Sequence, residues 1–126
     1  MTGLLLDTHI FLWWLDDHPR LPEAARDRIA DPETAIFVSA ASIWEIEIKR
    51  TIGKSEAPRE IMAFVEEEGF CGLPIQMKHA EIAALLPLYH RDPFHRMLIA
   101  QSLTEDLTLV TVDSRFELYE IKLPLV

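Results

Sequence analysis

Three short runs constrain the fold most: Gly3–Leu6, Ala35–Val38 and Leu107–Val112. The first is apolar, too short for a helix and without alternation, as expected of a strand buried on both faces. The other two are rich in β-formers and are expected as further strands. Helical signals fill the intervals. His9–Leu15 is a strongly apolar helix with Thr8 as its cap, and Leu21-Pro22 opens Glu23–Ala30 with proline where the first turn tolerates it. Ser39 N-caps Ala40–Ile52, which Gly53 ends. Pro58–Glu68 stops at Gly69, Lys78–Leu86 breaks at Pro87, and Pro93–Glu105 is a clear helix. Phe70–Ile75, with Gly72 and Pro74 inside it, is a weaker strand. Ser114–Tyr119 reads as a helical turn and Ile121–Val126 as a last strand. Strands alternating with helices make βαβ units, hence an α/β fold with a parallel sheet and helices on both faces. Without repeats or a linker, residues 1–126 are expected to form one domain.

No apolar run approaches the roughly 20 residues that cross a bilayer, and the start, Met1–Asp7, lacks a basic n-region. The expectation is a cytoplasmic protein with no membrane partner. The single cysteine, Cys71, forms no internal disulfide and is expected as a small apolar filler. The net charge of −9 runs against the basic footprint of nucleic-acid binders. It fits either carboxylates gathered around a cation or a partner bearing compensating basic groups.

In open parallel sheets, sites form beyond the carboxyl ends of the strands. Asp7 and Asp113 stand there, each directly after a strand run, although Asp also serves as a cap or turn residue. In Ala40–Ile52 the apolar stripe runs through Ala41, Trp44, Ile48 and Ile52, and Glu45 takes a core-facing position. A carboxylate there needs a cation or donors; the plainer alternative is a surface pair with Lys49 at i+4. Asp92 before Pro93 is explained as an N-cap, and His95 in the following turn faces either the same edge or solvent. Such an oxygen-rich set suits Mg²⁺ or Mn²⁺ rather than zinc. A divalent ion so held acidifies water and stabilises phosphoryl charge, which suggests phosphodiester hydrolysis.

Four segments, Asp7-Thr8-His9 with Leu12-Trp13, Ser39–Ile46, His90–Gln101 and Leu109–Asp113, together resemble the PIN-domain toxins of the VapC kind, in order and across essentially the whole chain. The resemblance implies a three-layer α/β/α sandwich and an Mg²⁺- or Mn²⁺-dependent endoribonuclease toxin of a toxin–antitoxin pair. It also implies inhibition by a VapB-type antitoxin, and commonly a homodimer. By position, Asp7 is a principal metal ligand, while Glu45 and Asp113 complete the site and orient the attacking water. Similar sequences read Asp-Pro-Phe-Asp-Arg where this one has His95 in place of the second Asp. Either Asp92 carries the third role alone, or His95 ligates as a neutral imidazole, which Mn²⁺ tolerates better than Mg²⁺, or metal affinity is lower.

Candidate phosphate contacts are Lys49, Arg50, Lys54, Arg91 and Arg96, the last equally able to pair with Asp92 at i+4. Thr8 and Ser42 are candidates for supporting the site, or simply caps. Trp13, Trp14 and Trp44 suit core or dimer packing better than base stacking. A phosphoacceptor receiver domain is disfavoured because Thr111-Val112-Asp113 lacks its lysine. A dehalogenase-type phosphohydrolase is disfavoured because His9 stands where its second Asp belongs. The remaining alternative is a PIN-like module that binds RNA or protein without cutting.

Overall fold

The computed structural model describes residues 3–54, 57–88 and 91–113; the expected turn at 114–119 and strand at 121–126 lie outside them. In chain order the elements are β1 (Leu4–Leu6), α1 (Thr8–Leu15), α2 (Glu23–Ala30), β2 (Ile36–Ser39), α3 (Ala40–Thr51), α4 (Ile61–Glu67), β3 (Cys71–Leu73), α5 (Met77–Leu85), α6 (Pro93–Glu105) and β4 (Thr108–Val110). The strands form one parallel sheet in the order β3-β2-β1-β4, with Leu4 opposite both Ile36 and Thr108 and Phe37 opposite Cys71.

Two apolar layers flank the sheet. Leu4, Leu6, Ile36, Val38 and Val110 pack with residues of α1, α2, α3 and α4. Leu5 and Leu109 point the other way, against Leu98 and Ile99 of α6. Successive strand residues face opposite sides, so β1 is buried throughout, as its unbroken apolar run requires. Complete burial of each such side chain contributes about 1.5–3 kcal/mol. The result is a three-layer α/β/α arrangement, as expected.

The cap of α1 is Asp7 rather than Thr8: its Oδ1 accepts the N–H groups of His9 and Ile10. Ser39 and Asp92 cap α3 and α6 as expected, and Gly53 and Gly69 end α3 and α4 at φ near +72° and +73°. The start of α4 lies three residues later than Pro58 suggested, since Arg50 donates to the carbonyls of Ala57 and Pro58 and holds that segment out of the helix. Cys71 is exposed rather than a core filler, because β3 is an edge strand with little covering it. The stripe of α3 is also corrected. Trp44, Ile48 and Ile52 face solvent, and the buried face comprises Ala41, Ser42, Glu45 and Ile46.

Candidate metal centre

The parallel strands all end at one edge, and the loops leaving β1, β2 and β4 place Asp7, α3 and Asp113 there. Glu45 sits on the inner face of α3 and is 2% exposed. The first turn of α6, fixed by Asp92 Oδ1 accepting from the Phe94 and His95 N–H groups, brings Asp92 and His95 to it. One ligand atom from each of Glu45, Asp92 and His95 lies within 4.8 Å of the other two. The His95 Nδ1 to Asp92 Oδ2 separation is 3.8 Å. Ligands at about 2.0–2.1 Å from a small divalent ion lie roughly 3–4 Å apart. The His95–Asp92 separation lies within that range, and two carboxylates with an imidazole are a donor set that such an ion accepts. Oxygen suits Mg²⁺ and Mn²⁺ alike, whereas the imidazole favours the transition metal.

Polar contacts prepare the carboxylates. The Thr8 hydroxyl lies 2.8 Å from Glu45 Oε1 and 2.9 Å from Ser42 Oγ. An ionised carboxylate only accepts, so the Thr8 proton goes to Glu45, and Ser42 can supply its own proton to Thr8. Of the two candidate supporting residues, Thr8 thus reaches Glu45 directly and Ser42 reaches it through Thr8. Lys49 Nζ lies 2.6 Å from Glu45 Oε2, the i+4 pair anticipated from spacing, although Glu45 is buried rather than at the surface.

Asp7 and Asp113 stand outside the mutual span of the trio. Asp7 is buried, and its Oδ2 accepts from Thr111 Oγ1 at 2.6 Å; the same oxygen of Thr111 accepts the Asp113 N–H at 3.0 Å. Thr111 thus ties the ends of β1 and β4 together. Sequence reasoning passed over it as a strand residue; its signal was a hydroxyl two residues before Asp113.

Among the candidate phosphate contacts, Lys54 and Arg91 are exposed and Lys49 is partly so. Arg50 and Arg96 are instead engaged by main-chain carbonyls. Arg50 pairs with Glu47 and holds the Ala57 and Pro58 carbonyls. Arg96 is 8% exposed, and its guanidinium donates to main-chain carbonyls between Ala83 and Pro87. Both respond to carbonyls left over at irregular backbone, which spacing does not reveal. Trp13 and Trp14 pack against the core, while Trp44 is 60% exposed with its ring edge-on to Phe94 at 5.1 Å.

No helix among the described residues is long and apolar enough to cross a membrane. The chain is similar in structure to VapBC from Salmonella typhimurium, solved bound to DNA, with 20% identity, 98% of each chain covered and a TM-score of 0.72. VapBC2 from Rickettsia felis, bound to a fragment of its promoter, shares 15% identity over 98% of each chain with a TM-score of 0.69. VapBC-5 from Mycobacterium tuberculosis shares 14% over all of both chains, with a TM-score of 0.63. No curated protein sequence matches. The family model of the PIN domain matches residues 4–122, and the chain belongs to the PIN domain family.

Proposed function

We propose that this protein is an Mg²⁺- or Mn²⁺-dependent endoribonuclease, the toxin of a type II toxin–antitoxin pair of the VapBC kind. The observation that carries the reading is the meeting of Glu45, Asp92 and His95 at the carboxyl edge of the sheet, from helices far apart in sequence. Membership of the PIN family and similarity to VapBC complexes support it.

Glu45, Asp92 and His95 would hold the ion, with Asp7 and Asp113 completing the acidic surround. A bound divalent ion supplies Lewis-acid stabilisation of phosphoryl charge and acidifies water. Thr8 holds the Glu45 carboxylate in one orientation. Lys49, Lys54 and Arg91 bring positive charge to an acidic protein and would engage RNA phosphates.

The net charge of −9 suits an antitoxin segment rich in basic residues. A groove of about 910 Å³ between α3, α4 and β3, lined by Val38, Ile43, Trp44, Met62, Val65 and Phe70, would take its apolar side chains. The exposed Ile48 on α3 and Ile52 at its C-cap would pack against a second copy of the chain.

One observation favours a second reading, a module that binds without cutting: the Lys49 ammonium already compensates Glu45. Both readings meet the same test. Purified protein free of antitoxin is incubated with total cellular RNA and Mg²⁺ or Mn²⁺, beside Glu45→Gln and an EDTA control. Discrete metal-dependent cuts that vanish in the variant are expected. Intact RNA under every metal, from protein shown to be folded, overturns the nuclease and leaves the binding module.

A further inference from the structure

α5 and α6 run antiparallel and are fastened at both ends. At one end, Gln76 N–H donates to His79 Nδ1 at 2.9 Å, so the ring proton lies on Nε2 and goes to Glu105 Oε2, also at 2.9 Å. Lys78 reaches the same oxygen at 3.1 Å. At the other end, Pro87 stops α5 by forcing Leu86 into extended backbone, φ −63° and ψ 148°, which leaves the carbonyls of the last turn without main-chain N–H donors. Arg96 replaces them. Its Nη2 donates to Ala83 O and Leu86 O, each at 2.8 Å, with Ala84 O at 3.4 Å, and its Nη1 donates to Pro87 O at 3.0 Å.

Arg96 follows His95 directly and lies in the first turn of α6, whose cap is Asp92. A planar guanidinium held by several carbonyls tolerates little rotation. Whatever fixes Arg96 therefore fixes the roll of the turn that carries Asp92 and His95. We infer that Arg96 is a positioning residue: by gripping the end of α5 it aims Asp92 and His95 at Glu45. This rests on the metal reading above, but the geometric role stands apart from it. The Glu105 end provides the internal control, since it fastens the same two helices far from the site.

The test uses the full chain, unaltered and as Arg96→Gln, Arg96→Lys and Glu105→Ala. Two quantities are read: the imidazole NMR signals of metal-free protein, with His95 assigned through His95→Gln, and Mn²⁺ affinity by paramagnetic resonance. In Arg96→Gln the His95 signals are expected to move and Mn²⁺ affinity to fall roughly tenfold or more, as when an outer support of a ligand is removed. Arg96→Lys, with charge but no fork, should fall between, and it substitutes for the Gln variant should that one fail to fold. Glu105→Ala should move the His79 signals but leave the His95 signals and the Mn²⁺ affinity at their original values. Unmoved His95 signals in a folded Arg96 variant, or an equal loss in Glu105→Ala, overturns the positioning role. Absence of Mn²⁺ binding by the unaltered chain overturns the metal reading instead, and the His95 signals still decide the role of Arg96.

Discussion

Thr8 donates its hydroxyl to Glu45 at 2.8 Å across 37 residues of sequence, joining the first turn of α1 to the middle of α3. The bond satisfies one oxygen of a buried carboxylate while Lys49 satisfies the other. Glu45 is therefore oriented within the fold before any metal ion arrives.

Thr8→Val keeps the shape and removes that donor. An acceptor left short in the interior costs about 1–3 kcal/mol, so thermal unfolding should shift down. Mn²⁺ affinity should also fall severalfold, because Glu45 is free to turn away. Wild-type values in calorimetric titration would show that Thr8 only fills space.

Lys49→Met leaves Glu45 without its cation. Lys49 is 43% exposed, so solvent already weakens the pair, and the loss in EDTA should be about 1 kcal/mol, or roughly 4 °C in melting temperature. Added Mn²⁺ should then raise the melting temperature more than in the unaltered protein, since ion and ammonium compete for one carboxylate. An equal rise in both proteins would contradict that competition.

Hydrogen bonds from His79 and then Lys78 hold the Glu105 carboxyl below its ordinary value of 4.5. A lowered carboxylate pKa stabilises the fold above the unfolded value, and the gain disappears as pH falls through the folded one. Glu105→Gln should therefore be less stable than the parent near neutral pH, by less than about 1 kcal/mol for a part-exposed group. The difference should close below pH 4.5. Urea melts across that range check it; a gap that widens on acidification would refute it.

Ile52→Lys places a charge at the exposed C-cap of α3. Folding stability should stay within about 0.5 kcal/mol, as for other surface changes, while self-association should weaken at least tenfold. Sedimentation across a dilution series measures both species. An unchanged dimer would move the interface elsewhere.

Much of this was legible in the residues. The limits of α6 agree with expectation because Asp92-Pro93 combines a cap with the one residue that needs no helical N–H. Strand β1 is clear because only a doubly buried strand tolerates Gly3–Leu6. Where reading failed, the deciding partner was distant. The apolar spacing of Trp44, Ile48 and Ile52 describes a face without saying what covers it. The burial of Glu45 follows instead from Ala41, Ser42 and Ile46 beside it. Arg96 has the composition of a phosphate contact, but its role depends on carbonyls orphaned by Pro87. His95 was visible as a departure, yet only the fold shows that its ring meets Glu45 and Asp92.

The proposed nuclease depends on these three side chains holding a divalent ion. Crystals of the antitoxin-free protein soaked in Mn²⁺ and measured for anomalous scattering test it directly. A peak bonded to Glu45, Asp92 and His95 is expected, with Lys49 displaced from Glu45. A fully soaked crystal with no peak there, or one whose ion bypasses Glu45 altogether, would contradict it.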